Sequence, residues 1–559
     1  MTLLINRHRV LDLAVWLAPC LALTQTLGCT LVPFCDAVPD SQDCLVADGS
    51  GTGGDGDVDG SGDGDGDGDG SETGDGDGDH DQPPSIDVFT INGDEVVFLV
   101  EAAGGVALQV IASDPDGDLA RVEFEADNQL LGSVSGAGPE FDLEWLLSGP
   151  EHNGQHTVTV TAYDAADNAS APVSLELGVS MPDGGTELDQ WTYDGGLLDA
   201  VYDVAVSPDG DQVVLAGQTS TMNGSGQRVD RVVGQAWADK LELTSISASG
   251  VVWADGTFVV AGSEFANMEI NTMLYAYDTA GAVSNQWLFD GSKPELGNPE
   301  LSDLPSGLER DSSGRLYAIG TYTPQSGPLI GMKSSYMLAV TPNGDQEWLR
   351  WPTESPDIDG AVLLTELTVA PTGDLAAVGT NVTSGELWMS RWDADGLLLS
   401  ELTLAEGSAS EGHAIAAAKD GALVIGGGVE TNGDLASWLR KVDANDAELW
   451  TAAPAQTGAG VTAAIAVDPW GEIVSVSTEG CDVGGGGLLV CELVARKYDA
   501  DGTLMWTATW DAQTLSGPVN NLPGFDASVA IDRFGYIYVT AIVYTMNTGT
   551  DWWMRKLNP

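Results

Sequence analysis

The sequence predicts an all-β protein, most of it a seven-bladed β-propeller, and three observations carry that prediction. First, between residue 182 and the C-terminus one pattern of strand, turn, strand, loop, strand, turn, strand recurs seven times. Its clearest copy reads AIAVDPWGEIVSVS, a glycine-rich loop, then ELVARKYDADGTLMWTATW, within residues 464–510. Second, every copy closes its first hairpin with a glycine: Gly210, Gly256, Gly314, Gly373, Gly421, Gly471 and Gly535. Third, the last copy stops at WWMRKLNP after its third strand, and the missing fourth strand stands before copy one. There MPDGGTELDQW (181–191) matches YDTAGAVSNQW (277–287). Four-stranded antiparallel units repeated this way stack as blades around an axis. A ring in which the N-terminal strand completes the last blade leaves no sheet edge open.

Each repeated position has a physical reason. Asp209, Asp255 and Asp420 stand directly before the turn glycine, and Asp311, Asp468 and Asp532 three residues before it. The turn needs positive φ and a side chain that bonds its own backbone, which glycine and aspartate supply. Six residues after the glycine comes a second small residue: Gly262, Gly320, Gly379, Gly427, Ser477 and Ala541, with Gly217 one step later in copy one. Small residues fit where strands crowd or bend. Third strands carry an apolar anchor before Arg/Lys and Asp, with Trp237, Trp388, Trp438 and Trp553 assigned to one position. Trp191, Trp287, Trp348, Trp450 and Trp506 mark the fourth strand. Aromatics that recur in every copy are what packing between sheets requires.

This pattern resembles the β-propeller repeat families of secreted and surface bacterial proteins, over about two-thirds of the chain. Its D-x-x-G-x-x-x-W phrase also resembles the repeats of quinoprotein dehydrogenases, where it packs adjacent blades. The resemblance implies the fold and leaves activity open, since one fold hosts unrelated functions.

Residues 1–29 read as an export signal: Arg7, His8 and Arg9 precede an apolar run from Leu13 to Leu23 that is too short to span a bilayer. Thr26-Leu27-Gly28-Cys29 resembles the lipobox of bacterial lipoproteins. Gly28 and Cys29 match it, whereas Thr26 replaces the usual leucine and Asp12 is unusual in such a core. The resemblance implies a lipid on Cys29, with plain signal cleavage as the alternative. Thr30 is not an inner-membrane retention aspartate, so the resemblance implies the outer membrane; two or more acyl chains make such attachment stable.

Residues 30–83 are a tether, almost pure glycine and aspartate from Asp48 to Gln82. With no apolar surface to bury, such a segment is expected to be disordered, and like charges extend it. Asp55-Gly-Asp57-Val-Asp59-Gly60 opens like an EF-hand loop, but Gly66 stands where the bidentate glutamate belongs.

Residues 84–181 begin at a proline-marked boundary and alternate apolar and polar residues in VALQVIAS, ARVEFEA and HTVTVTAYD, which predicts a β-sandwich. TVTVTAYDAADNAS resembles a strand end of bacterial Ig-like and fibronectin-like domains, with Asp167 in place of the usual glycine. Asp114, Asp116 and Asp118 read first as a tight polar turn and second as a calcium site like those of cadherin-like modules. Residues 182–559 form the propeller.

Composition sets the remaining bounds. Net charge is −65, from 85 acidic and 20 basic residues, which excludes nucleic acid as a partner and disfavours anionic membrane surfaces. Cys35 with Cys44 and Cys481 with Cys491 each bracket a short loop; in an exported chain they read as disulfides, and neither has zinc-site spacing. Of five histidines only His413 lies in the propeller, and neither GxSxG nor HExxH occurs. The DADGTLMW run (499–506) lacks the spacing of a sialidase Asp-box, and no quinone-pocket ligand set is identifiable.

The chain therefore reads as a non-enzymatic binding or scaffold protein, anchored at the cell surface or outer membrane, that recognises an envelope protein or a glycan. A propeller enzyme (hydrolase or quinoprotein-like) and a calcium-dependent adhesin are the alternatives. No cofactor is expected, with calcium left open. Trp470, Arg533 and Phe534 are the binding candidates, because they depart from the repeat at hairpin tips on one rim. Capping of a neighbouring blade is their structural alternative.

Overall fold

The computed structural model describes residues 82–559, apart from positions 97, 198, 222–223, 234–236, 241–244, 267–268, 290–300, 325–333, 353–361, 406–409, 432–433, 453–458, 484–487, 519–526 and 546–548. The export signal with Cys29, the Cys35–Cys44 pair, the tether and the GGGG loop (484–487) lie outside the described residues. The described chain is all-β, with no helix long and apolar enough to cross a membrane.

The first eight strands form two sheets. One orders Ser85–Ile91, Gly104–Ser113 and Glu140–Leu147; the other orders Phe98–Val100, Val173–Val179, Gly154–Asp164, Leu119–Ala126 and Gln129–Ser135. Gly104–Ser113 alternates buried and exposed residues without a break, burying Val106, Leu108, Val110 and Ala112. A strand with one face on a core must do this. At the end of Gly154–Asp164, the buried Asp164 accepts N–H bonds from Ala166 and Asn168, and Asp167 takes φ +66°. Aspartate thus occupies the left-handed position that the resembled motif gives to glycine.

The rest of the described chain forms seven four-stranded antiparallel sheets, numbered here one to seven in chain order. Their inner strands are Ala200–Val206, Ser245–Ala254, Leu301–Arg310, Val362–Val369, Ser410–Ala417, Ala459–Val467 and Ala527–Ile531. Each inner strand lies against the next, and that of sheet seven lies against that of sheet one. Sheet seven takes its fourth strand from Glu187–Tyr193, which pairs with Gly549–Leu557 in a register that sets Met554 opposite Trp191. The pairing expected between the two ends of the repeat region is thus present. Asn558 clamps it, donating its side-chain amide to the Pro182 carbonyl at 2.8 Å.

All seven predicted turn glycines have φ between +70° and +91°. The second small residue has a different cause. In sheets one to six the inner strand skips one residue of register, at Tyr202, Ser249, Ser306, Thr365, His413 and Ala463. Immediately before each bulge, the inner strand pairs with Gly217, Gly262, Gly320, Gly379, Gly427 or Ser477. The bulge drives a carbonyl onto this partner: a Cβ on Gly427 would lie 1.9 Å from the Glu411 oxygen, and one on Gly379 2.1 Å from that of Leu363.

Outer tryptophans latch sheets two, three, five and six to the sheet that follows. Trp287, Trp348 and Trp450 donate their indole N–H to the carbonyls of Asn343, Ala394 and Ala500, at 2.9, 3.0 and 3.1 Å. Trp506 lies over Gly184 and Gly185. At the seam between sheets four and five the latch changes chemistry. Ser400 stands at the tryptophan position and Asp446 (φ +64°) at the turn-glycine position. Ser400 Oγ donates to Asp446 Oδ2 at 2.7 Å, and Arg391 Nε to Oδ1 at 2.6 Å.

One sequence assignment is corrected. Trp237 lies on the fourth strand of sheet one, Trp237–Lys240, not the third, which is Gly224–Val233. That third strand alternates Arg228, Asp230 and Val229 in QRVDRVV and carries no aromatic anchor, so the sequence hides it.

Candidate functional site

The bulges define a site that the sequence did not disclose. The inner strands of all seven sheets enclose a channel of about 680 Å³. The residue after the bulge is Gly250, Gly307, Ala414 or Ala464 in four sheets, but Asp203 in sheet one and Glu366 in sheet four. Glu309, two residues beyond Gly307, adds a third carboxyl from sheet three; His413, Ser249, Thr365 and Ser528 are among the other polar lining residues.

Local bonds hold these carboxyls in place. Asp203 spans three sheets: its Oδ1 accepts from Ser528 Oγ at 2.7 Å and from its neighbour Val204 N at 2.8 Å, and its Oδ2 from Val251 N at 2.8 Å. Glu366 accepts from the Ile415 N–H of sheet five, and Glu309 from the Arg310 N–H. Burial, set against those bonds, pushes Asp203 up to about 6. Burial and then the charge of Asp203 push Glu309 up to about 8. Glu366 is raised well above the ordinary glutamate value by burial, then by Asp203 and Glu309. Enclosure disfavours each charge, and like charges that share the enclosure disfavour one another.

The mouth at the first-hairpin turns differs. A second cavity of about 640 Å³ is lined there by Pro208, Pro371, Pro469, Arg310, Lys419 and Arg533, among others. Arg310 is ion-paired with Asp255, and Arg533 with Glu144 of the sandwich at 3.2 Å.

The rim candidates do not converge on a binding site. Besides its pair with Glu144, the Arg533 guanidinium lies 4.5 Å over the Phe534 ring. Phe534 packs on a hydrophobic core that runs from Leu108 and Phe141 of the sandwich to Val201, Tyr538 and Trp552 of sheets one and seven. Beside it, Tyr536 Oη donates to the Ala103 carbonyl at 3.0 Å. Both rim residues therefore serve the joint between the two β regions. Trp470 remains 41% exposed, with its ring edge over Gly535 of sheet seven, as its capping alternative describes.

The aspartate turn is also rearranged. Carboxylate oxygens of Asp114, Asp118 and Asp164 lie within 4.8 Å of one another. Asp116 is not among them; its Oδ2 accepts from the Gln82 N–H. Three carboxylates suit a hard, oxygen-seeking cation. Both oxygens of Asp164, however, already accept donors from Asn168 and Ala166. Cys481 and Cys491 form the expected disulfide, with S–S 2.07 Å, between the second and third strands of sheet six.

No curated protein matches this chain. Among solved structures, the fibronectin(III)-like modules of Clostridium thermocellum CbhA are 29% identical, covering 17% of this chain and 98% of theirs, at a TM-score of 0.15. Sqt1 of Chaetomium thermophilum is 12% identical over 65% of this chain and 90% of its own, at 0.38. A quinoprotein alcohol dehydrogenase-like protein of Bacteroides thetaiotaomicron is 9% identical over 75% and 96%, at 0.30. The model of the bacterial Ig domain family matches residues 99–160, so the chain carries an Ig-like domain ahead of its seven four-stranded sheets.

Proposed function

We propose that this is an exported binding or scaffold protein, held at the cell surface or outer membrane by a lipid on Cys29, whose seven sheets close into a β-propeller that recognises an envelope protein or a glycan. One observation carries the reading: the Ig-like domain and sheets seven and one share a single hydrophobic core. A spacer joined by a flexible linker would leave the ring free to tumble. A shared core, fastened by Tyr536 to Ala103 and by Arg533 to Glu144, instead holds the ring at one angle to the Ig-like domain. Fixed display of a large rigid face suits recognition. Contact of each inner strand with the next and of sheet seven's with sheet one's, together with the pairing of Glu187–Tyr193 to Gly549–Leu557 inside sheet seven, supports closure of the ring.

The test is in-cell crosslinking of a tagged full-length protein in its native envelope, read by mass spectrometry. Crosslinks from one face of the sheets to a single protein support recognition and name the partner. Their absence from every face counts against a protein partner and directs the work to glycan arrays.

A second reading, a hydrolase acting in the channel, is favoured by the convergence of Asp203, Glu309 and Glu366, since raised carboxyls in a cavity suit general acid work. Hydrolysis of a glycoside or ester panel that is lost in Glu366→Gln would establish it.

A further inference from the structure

We propose that the channel is a proton-binding device: Asp203, Glu309 and Glu366 each hold a proton in the folded chain, so that the inner strands hold together most firmly in mild acid and loosen as the medium turns alkaline.

Several enclosed carboxylates elsewhere in the molecule meet a cation. Glu479 is ion-paired with Arg496, Asp468 with Lys497 at 3.2 Å, Asp446 with Arg391 at 2.6 Å and Asp230 with Arg228 at 2.7 Å. In each of these pairs a charge taken from water is answered by an opposite charge, which offsets the cost of desolvation. The buried Asp164 and Asp199 are instead held by N–H and O–H donors. The channel offers its three carboxyls no cation: among the described residues that line it there is no lysine or arginine.

The groups facing these carboxyls can be named strand by strand. Sheet one supplies Tyr202 beside Asp203; sheet two, Ser247 and Ser249; sheet three, Ser306 beside Glu309; sheet four, Thr365 beside Glu366. Sheet five supplies His413, whose ring lies 3.4 Å from Glu411; sheet six lines the channel with Ala463–Val467 alone, and sheet seven with Ser528 between alanines and Val529. Arg310, next to Glu309, lines the mouth cavity and is ion-paired with Asp255. Three carboxyls therefore meet hydroxyls, amides and one imidazole, and a proton is the compensating charge the protein can draw from water. The raised values of Asp203, Glu309 and Glu366 agree with this arrangement.

The sign follows from linkage. An unfolded aspartate or glutamate releases its proton near pH 4, whereas these groups keep theirs in the folded chain to about 6 for Asp203 and about 8 for Glu309. Folding therefore takes up protons between those limits. Their contribution is fully present below about pH 4 and is lost as pH rises through the folded values, at about tenfold in the folding constant per pH unit for each proton held.

The test is urea unfolding of the full chain from pH 5 to 8.5, comparing wild type with Glu309→Gln/Glu366→Gln. The glutamines keep the shape and cannot ionise. The double variant should match wild type near pH 5 and exceed it by at least about tenfold in folding constant at pH 8. Glu401→Gln, on an outer strand, should leave the wild-type pH dependence intact. A double variant with the wild-type pH dependence overturns the proposal. Infrared spectroscopy gives a second readout that does not require the variant to fold. Wild type at pH 7 should show the stretch of protonated carboxyl groups, fading as the pH is raised to 8.5. A spectrum without that band at pH 7 overturns the proposal as well.

Discussion

At the seam between sheets four and five, Asp446 lies enclosed between Arg391 and Ser400, and its charge is answered twice. In the channel, Glu366 on the same sheet as Arg391 is enclosed as well, and its named donor is a backbone N–H. Both sites belong to one repeat and differ in how they treat charge. A seam is a packing surface between two sheets. Any unbalanced charge there would cost several kcal/mol, so tryptophan or an ion pair fills it. The channel is a cavity that the inner strands of all seven sheets face. Charge there can be balanced from outside the chain, so the fold tolerates three carboxyls without cations.

Four experiments test that contrast. The largest effect is expected at a regular seam. Trp348→Ala removes a ring only 7% exposed that lies over Gly396 and donates to Ala394, and should cost about 3–5 kcal/mol in urea unfolding. A loss below about 1 kcal/mol would show that the latch does not carry the seam.

At the exceptional seam, Arg391→Ala strands Asp446 and should cost about 3 kcal/mol. Adding Ser400→Trp and Asp446→Gly rebuilds the regular latch and should recover most of it. If the triple variant is no better than the single one, the two latches are not interchangeable.

Along the inner strands, Gly427→Ala should cost about 2 kcal/mol, because its Cβ meets the Glu411 carbonyl oxygen although the backbone there is not left-handed. Gly421→Ala, in open space at φ +82°, should cost only the left-handed strain of about 1 kcal/mol. Equal costs would deny that the bulge sets the small residue.

The smallest change is at the joint with the Ig-like domain. Tyr536→Phe removes one buried hydrogen bond, worth about 1 kcal/mol, and should raise amide exchange around Ala103 before it moves the global midpoint.

Much of the architecture was legible in the chain because it is written in local chemistry. The turn glycines and the aspartates that bond their own backbone act within five residues of each other. Asp164 and Asp167 shape the Ig-like turn in the same way. Trp237 was misplaced because the third strand of sheet one, QRVDRVV, presents Arg228 where sheets three, four, five and seven present Tyr336, Trp388, Trp438 and Trp553. Arg533 and Phe534 were noticed as departures from the repeat, but their neighbours are Glu144 and the sandwich core, hundreds of residues away in sequence.

The channel carboxyls lay beyond the sequence reading for a related reason. Among 85 acidic residues, Asp203, Glu309 and Glu366 carry no mark of their own. A signal did exist: aligned on the bulge, their copies place Gly250, Ala414 and Ala464 where Asp203 and Glu366 stand. The bulge itself appears only once strands are paired. By itself the sequence determined the strands, the turns, the repeat and the strand that joins its two ends, because periodicity and turn chemistry are short-range. Only the tertiary structure decided which charges are enclosed together and which are answered, because enclosure depends on strands brought side by side from all seven sheets.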